Sequence, residues 1–109
     1  MDVSGGGAEP RSVPDLILWS RPGCHLCDDA REMLEALLRT RAAENRPVPH
    51  LVERDITTNP EWERRFLVTI PVVELGERLI ELATSVNRLR ALLATLDADV
   101  PAVADAARG

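Results

Sequence analysis

Cys24 and Cys27 are the only cysteines of this 109-residue chain, and two residues separate them. Thiols at that spacing can close a disulfide, or supply half of a tetrahedral metal site. Position narrows the choice. The pair follows an apolar run, Leu16-Ile17-Leu18-Trp19, and precedes a long amphipathic pattern. The first sulfur is therefore expected at a helix N-cap, where unsatisfied backbone N–H groups and the positive end of the macrodipole favour a thiolate. Cys24 is the expected nucleophile. Cys27, one turn further on, is the expected resolving thiol, which attacks the mixed disulfide formed on Cys24. The bland alternative is two structural cysteines on one helix face.

The neighbouring residues would tune that chemistry. Arg21, three residues before Cys24, can add positive charge or pair with a substrate carboxylate. His25 can stabilise the thiolate when protonated or carry a proton when neutral, or simply be an exposed residue of the first turn. Asp28 and Asp29 oppose a second negative charge nearby. His50 lies far from the pair in sequence and is expected at the surface, as are Arg64 and Arg65 on a solvated helix face.

Positioning this site requires a strand before it and a helix after it. Residues 16–19 suit a strand buried on both faces, and Pro22-Gly23 breaks it. Leu26, Ala30, Met33, Leu34, Leu37 and Leu38 then recur at helical spacing, with Arg31, Glu32, Glu35 and Arg39 opposite; this helix should fade by about Ala43. Residues 51–56 read as a second strand. Asn59-Pro60 opens a short helix carrying Trp62 and Phe66, both expected in the core or in a groove wall. Residues 72–75 and 78–82 form a hairpin around Gly76-Glu77, and Thr84 or Ser85 caps a last helix with Leu89, Leu92, Leu93 and Leu96 on one face. The expected order is β-α-β-α-β-β-α, an α/β domain over residues 15–96, with a mobile tail at 1–14 and a frayed one at 97–109.

Composition removes several function classes. The net charge is −5, all thirteen basic residues are Arg, and Trp19, Trp62 and Phe66 are the only aromatics. Nucleic acid and anionic membrane are poor partners for such a chain. No apolar stretch reaches the length of a membrane span or a secretory signal, so a reducing cytoplasm is the expected location.

The element order, the cysteine pair after the first strand and a proline opening the third together resemble the thioredoxin fold in its small glutaredoxin form. Glutaredoxins carry an aromatic-Ser-Lys-x-x-Cys-Pro-Tyr-Cys run; here Trp19, Ser20, Arg21, Cys24 and Cys27 occupy the matching positions. The family's Thr-Val-Pro segment is matched by Thr69-Ile70-Pro71. The whole run Ser-Arg-Pro-Gly-Cys-His-Leu-Cys-Asp is similar to a Cys-His-Leu-Cys branch of glutaredoxin-like proteins. This resemblance implies a four-stranded mixed sheet flanked by three helices, and a thiol-disulfide oxidoreductase with Cys24 and Cys27 as its redox pair. It also implies a cis Ile70–Pro71 bond, with Thr69, Ile70 and Pro71 at the substrate and Ile70 offering its backbone N–H and C=O; Arg21 and His25 join them as substrate-binding candidates through their own chemistry near Cys24 in sequence. Two departures stand out. His25-Leu26 replaces Pro-Tyr, and residues 81–85, Glu-Leu-Ala-Thr-Ser, replace the Gly-Gly-x-Asp that helps hold the γ-glutamyl end of glutathione in the family.

The expected activity is reduction of protein disulfides or of mixed disulfides with a low-molecular-weight thiol. No bound cofactor is expected; glutathione or another small thiol, or a reductase, would restore the dithiol of a monomeric enzyme. Two readings compete. The cysteine pair could hold a metal or an iron–sulfur cluster, the latter bridged between two copies with added thiols, or the fold could serve as a non-catalytic interaction domain.

Overall fold

The computed structural model of the protein describes residues 13–98. Of the two expected tails, residues 1–12 and 99–109 lie outside the described part. The strands are β1 (Leu16–Ser20), β2 (Leu51–Asp55), β3 (Val72–Leu75) and β4 (Arg78–Ile80). The helices are α1 (His25–Ala43), α2 (Pro60–Phe66) and α3 (Val86–Ala98), and a 3₁₀ turn occupies Ile56–Thr58. The sheet order is β2-β1-β3-β4, with β1 parallel to β2 and antiparallel to β3, and β3 antiparallel to β4. This is the mixed four-stranded sheet with three helices that the sequence resemblance implied.

The central strand β1 explains the two cores. Its pleat sends Leu16 and Leu18 to one face, where Val73 and Leu75 join them opposite Ala30 and Leu34 of α1 and Leu89, Leu92, Leu93 and Leu96 of α3. Ile17 and Trp19 point to the other face, where Val72, Ile56 and Phe66 collect with Cys27 and Ile70. Both helices with leucine stripes therefore lie on one side and the aromatic helix α2 on the other. Trp19 stands edge-on to Trp62 at 5.1 Å and tilted to Phe66 at 4.7 Å, and its Nε1–H donates to Glu74 at 3.1 Å.

Element ends follow local hydrogen bonding. Asn45 takes a φ of 60° after α1, with the Asn45 N–H on the Ala42 carbonyl and the Arg46 N–H on the Arg41 carbonyl, a Schellman ending. Strand β2 stops at Asp55, one residue before the expected end, because the Asp55 carboxylate accepts the Thr57 N–H at 2.8 Å and turns Ile56 into the 3₁₀ turn. Gly76 opens the β3–β4 turn at a φ of 62°, as its first central position requires. Strand β4 ends at Ile80 rather than residue 82, because the chain leaves the sheet to bond with the loop before β3. Ser85 caps α3 through its Oγ, which accepts the Arg88 N–H at 3.3 Å.

Helix α3 continues to Ala98, past the expected boundary at residue 96. The reason lies in α1. Arg41, 7% exposed, donates to both Asp97 oxygens at 2.6 and 3.2 Å and to the Pro47 carbonyl at 2.7 Å, while Arg46 reaches Asp97 at 2.9 Å. The Arg41 hydrogen bond holds the Asp97 carboxyl below the usual aspartate range, with Arg46 adding to it. A carboxyl lowered by folding stabilises the protein above its unfolded pKa, near pH 4, and loses that contribution as pH falls through the folded value. Asp97→Asn is therefore expected to lower stability at pH 7 by about 1–2 kcal/mol. The gap from the parent should close below about pH 4, as read by urea unfolding at a series of pH values. A gap that persists unchanged in acid would exclude this role.

Candidate active site

Strand β1 delivers the chain to Ser20, and the turn Arg21-Pro22-Gly23 redirects it into α1. Gly23 sits at a φ of 79°, a conformation that a side chain at Cβ disfavours even though open space surrounds it. Cys24 follows with extended φ and ψ as the N-cap of α1, so its carbonyl accepts the first helical bond, from Asp28, at 3.1 Å. Its Sγ accepts the Cys27 backbone N–H at 3.1 Å. A sulfur in that position faces the unpaired amides of the first turn, which stabilise negative charge on it.

The two sulfurs stand at disulfide distance, with Cα atoms 5.2 Å apart, and form the Cys24–Cys27 bond. Their environments differ. Cys27 is fully buried among Trp19, Ile56, Phe66, Ile70 and Val72, whereas Cys24 is partly exposed at the edge of the same cluster. An incoming sulfur reaches Cys24 and not Cys27. Burial thus leaves the outer sulfur open to the surface and shields the inner one.

Ile70 packs in this cluster with Cys27, and the Ile70–Pro71 peptide bond is cis, as the resemblance implied. Thr69, Ile70 and Pro71 accordingly lie on the loop that borders the cysteine pair. One expectation needs correcting. The Ile70 N–H donates to the Phe66 carbonyl at 3.1 Å, so that donor is committed within the chain. Helix α2 ends too close to the loop to leave it free: the Thr69 N–H meets the same carbonyl at 2.9 Å. Among the described residues no hydrogen bond engages the Ile70 carbonyl, which keeps its acceptor capacity.

Arg21 and His25 are both exposed; His25 follows Cys24 directly in the chain, whereas Arg21 lines a cleft with Asp28, Glu53 and Asp55. His50, by contrast, lies at the surface near Asp15, 4.0 Å away, and its carbonyl accepts the Leu16 N–H at the far end of β1. Asp28 does not stand alone as its sequence position suggests, since Arg31 pairs with it at 3.0 Å. The same Arg31 grips Glu53 of β2 at 2.7 and 2.5 Å, and the buried Ser20 hydroxyl donates to Glu53 at 2.6 Å. The Arg31 hydrogen bond holds the Glu53 carboxyl below its usual range, with Ser20 assisting against partial burial. This Ser20–Glu53–Arg31–Asp28 chain pins the start of α1 to β2 and borders a cleft of about 240 Å³ beside Pro22 and Gly23. Sequence reading placed Ser20 only by motif and missed Glu53, because a strand carboxylate has no local signal for its partner on another element. Among the described residues no group of three or more His, Cys, Asp and Glu side chains converges as a metal site. A metal on this pair would need ligands from outside the described residues.

A family model for a glutaredoxin-like domain (DUF836) matches residues 15–94. The chain belongs to this glutaredoxin-like family. The X-ray structure of XcR50, a Northeast Structural Genomics target protein from X. campestris, aligns with the glutaredoxin-like chain at a TM-score of 0.58 and 28% identity. The alignment covers 73% of this chain and 96% of that one. The fold is thioredoxin-like, and a glutaredoxin-like domain with its cysteine pair at disulfide distance fits redox chemistry. No helix among the described residues is long and apolar enough to cross a membrane.

Proposed function

We propose that this glutaredoxin-like protein is a cytoplasmic, monomeric thiol-disulfide oxidoreductase that reduces disulfides of proteins or mixed disulfides with low-molecular-weight thiols. The observation that carries the reading is the asymmetry of the pair: a partly exposed N-cap sulfur that accepts a backbone N–H, bonded to a fully buried one. In the reducing cycle the Cys24 thiolate attacks one sulfur of the substrate disulfide. A Cys24–substrate bond forms, the substrate bond breaks, and the second sulfur leaves as a thiolate that takes up a proton. Cys27, losing its own proton, then attacks Cys24 Sγ and releases the first substrate sulfur. The dithiol has given two electrons, and the Cys24–Cys27 disulfide remains. Two molecules of a small thiol such as glutathione, leaving as their own disulfide, or one dithiol reductase that becomes oxidised, return the two electrons and restore the Cys24 thiolate and the Cys27 thiol.

The exposed Arg21 and His25 supply positive charge or a proton at the mouth, and the free Ile70 carbonyl accepts an N–H from a substrate backbone. The test is the reduction potential of the pair, measured by equilibration in thiol/disulfide buffers and read by alkylation. A value of about −200 to −270 mV is expected, the range of dithiol reductases and glutaredoxins. A pair that never closes in oxidising buffer, or a Cys24 no more reactive than an ordinary thiol, would rule the proposal out. In that event a cluster shared between two copies becomes the reading to pursue, through colour and oxygen sensitivity of the purified protein.

A further inference from the structure

Residues 81–85, which return the chain from β4 to α3, spend three consecutive backbone donors on the protein itself. The Leu82 N–H donates to the Thr69 carbonyl, the Ala83 N–H to the Pro71 carbonyl and the Thr84 N–H to the Leu82 carbonyl, each at 2.8 Å. A carboxylate arriving at residues 82–84 meets amides that are already engaged, and Glu81 adds a like charge.

What the segment presents instead is Leu82, 50% exposed and held at a φ of 49°. That left-handed conformation suits glycine and disfavours a branched apolar side chain. Folding does not call for leucine at this point, since glycine would make the same backbone bonds. Val68, 83% exposed, stands one residue before the Thr69 to which Leu82 is bonded. Leu26, 51% exposed, lies between the two cysteines. The cysteine turn, the loop that packs on it and the segment bonded to that loop thus each expose an apolar side chain. The Leu82–Thr69 bond and the packing of Ile70 with the cysteines hold these segments together.

We propose that Leu82, with Val68 and Leu26, selects disulfides in extended protein segments whose cysteine is flanked by an apolar residue, and that Leu82 is the specificity-determining position. The inference rests on the reductase reading above. The flanking side chain covers Leu82 and Val68 while the Ile70 carbonyl accepts a backbone N–H of the segment, so the disulfide sulfur is brought to Cys24. The exchange is the one already written, with the protein segment as the oxidant that receives two electrons. Glutathione, which carries an ammonium and a carboxylate at its γ-glutamyl end, matches this surface poorly.

The test uses the full chain carrying Cys27→Ser, so that attack by Cys24 stops at the mixed disulfide. Three probes are compared by rate: the disulfide of a short peptide with Leu beside its Cys, the same peptide with Ser there, and glutathione disulfide. The Leu peptide is expected to react about tenfold faster than the Ser peptide, and faster than glutathione disulfide, as partial burial of one leucine implies. Adding Leu82→Gly should bring the Leu/Ser ratio to about two without lowering Tm, because glycine accepts this φ. Val68→Ser, at a side chain almost free of the core, should move the ratio the same way. Equal rates for the two peptides, a lead for glutathione disulfide, or a ratio that neither variant shifts would overturn the assignment. Failure of Cys24 to react with all three probes would instead bring down the reductase reading itself, and this one with it.

Discussion

Cys24→Ser is expected to abolish turnover of every disulfide substrate, a loss on the order of a thousandfold or more, because a serine hydroxyl is not ionised near neutral pH and has no helix-stabilised anion to attack with. Cys27→Ser should behave differently. Its buried position takes no part in the first attack, so Cys24 still forms the mixed disulfide but cannot be cleared by an internal thiol. A covalent adduct that survives denaturation and disappears with reductant, resolved by mass spectrometry, is the expected product. The asymmetry is the informative part. If the two variants lost activity alike with no adduct on Cys27→Ser, or if Cys24→Ser still cycled, burial would not be assigning the roles of the two thiols. The double variant should match Cys24→Ser, since resolution cannot matter once attack is gone.

Phe66→Ala carries the largest expected effect on stability. The ring is 1% exposed, packs on Trp19, and shares its cluster with Cys27 and Ile70. Removing a buried phenyl group is expected to destabilise by about 3–5 kcal/mol, and each kcal/mol lowers Tm by about 4–8 °C in a domain of this size. Against a total stability of roughly 5–15 kcal/mol this leaves a folded but fragile protein. The consequence reaches the site, because the Phe66 carbonyl holds both the Thr69 and Ile70 amides. Loosening the end of α2 should speed alkylation of Cys27 in the reduced protein before it affects Cys24, which is already partly exposed. Phe66→Leu, which conserves most of the volume, should recover most of the lost Tm. A Phe66→Ala protein that melts within a few degrees of the parent would show that the cluster does not depend on this ring.

Much of this was legible in the chain itself. The apolar run before the cysteines, the leucine stripe after them and the Asn-Pro that opens α2 each report a local preference, and local preference is what sequence periodicity measures. The Cys-x-x-Cys spacing at a strand-to-helix junction likewise announced a close thiol pair with its first sulfur at an N-cap, since both features follow from helix geometry. The fold class followed from element order, because a strand-helix-strand start permits a parallel pair and a tight hairpin an antiparallel one. Tertiary structure decided what those rules do not reach. That Cys27 is sealed and Cys24 is not depends on Ile56, Phe66 and Ile70 arriving from distant parts of the chain. That the Ile70 N–H is engaged while no hydrogen bond among the described residues engages its carbonyl depends on where α2 happens to stop. Glu53 beneath Ser20, Asp97 on Arg41 and Leu82 beside Thr69 are pairings between elements 33, 56 and 13 residues apart. Such contacts are fixed by packing and long-range hydrogen bonds, which leave no period or motif in a single sequence.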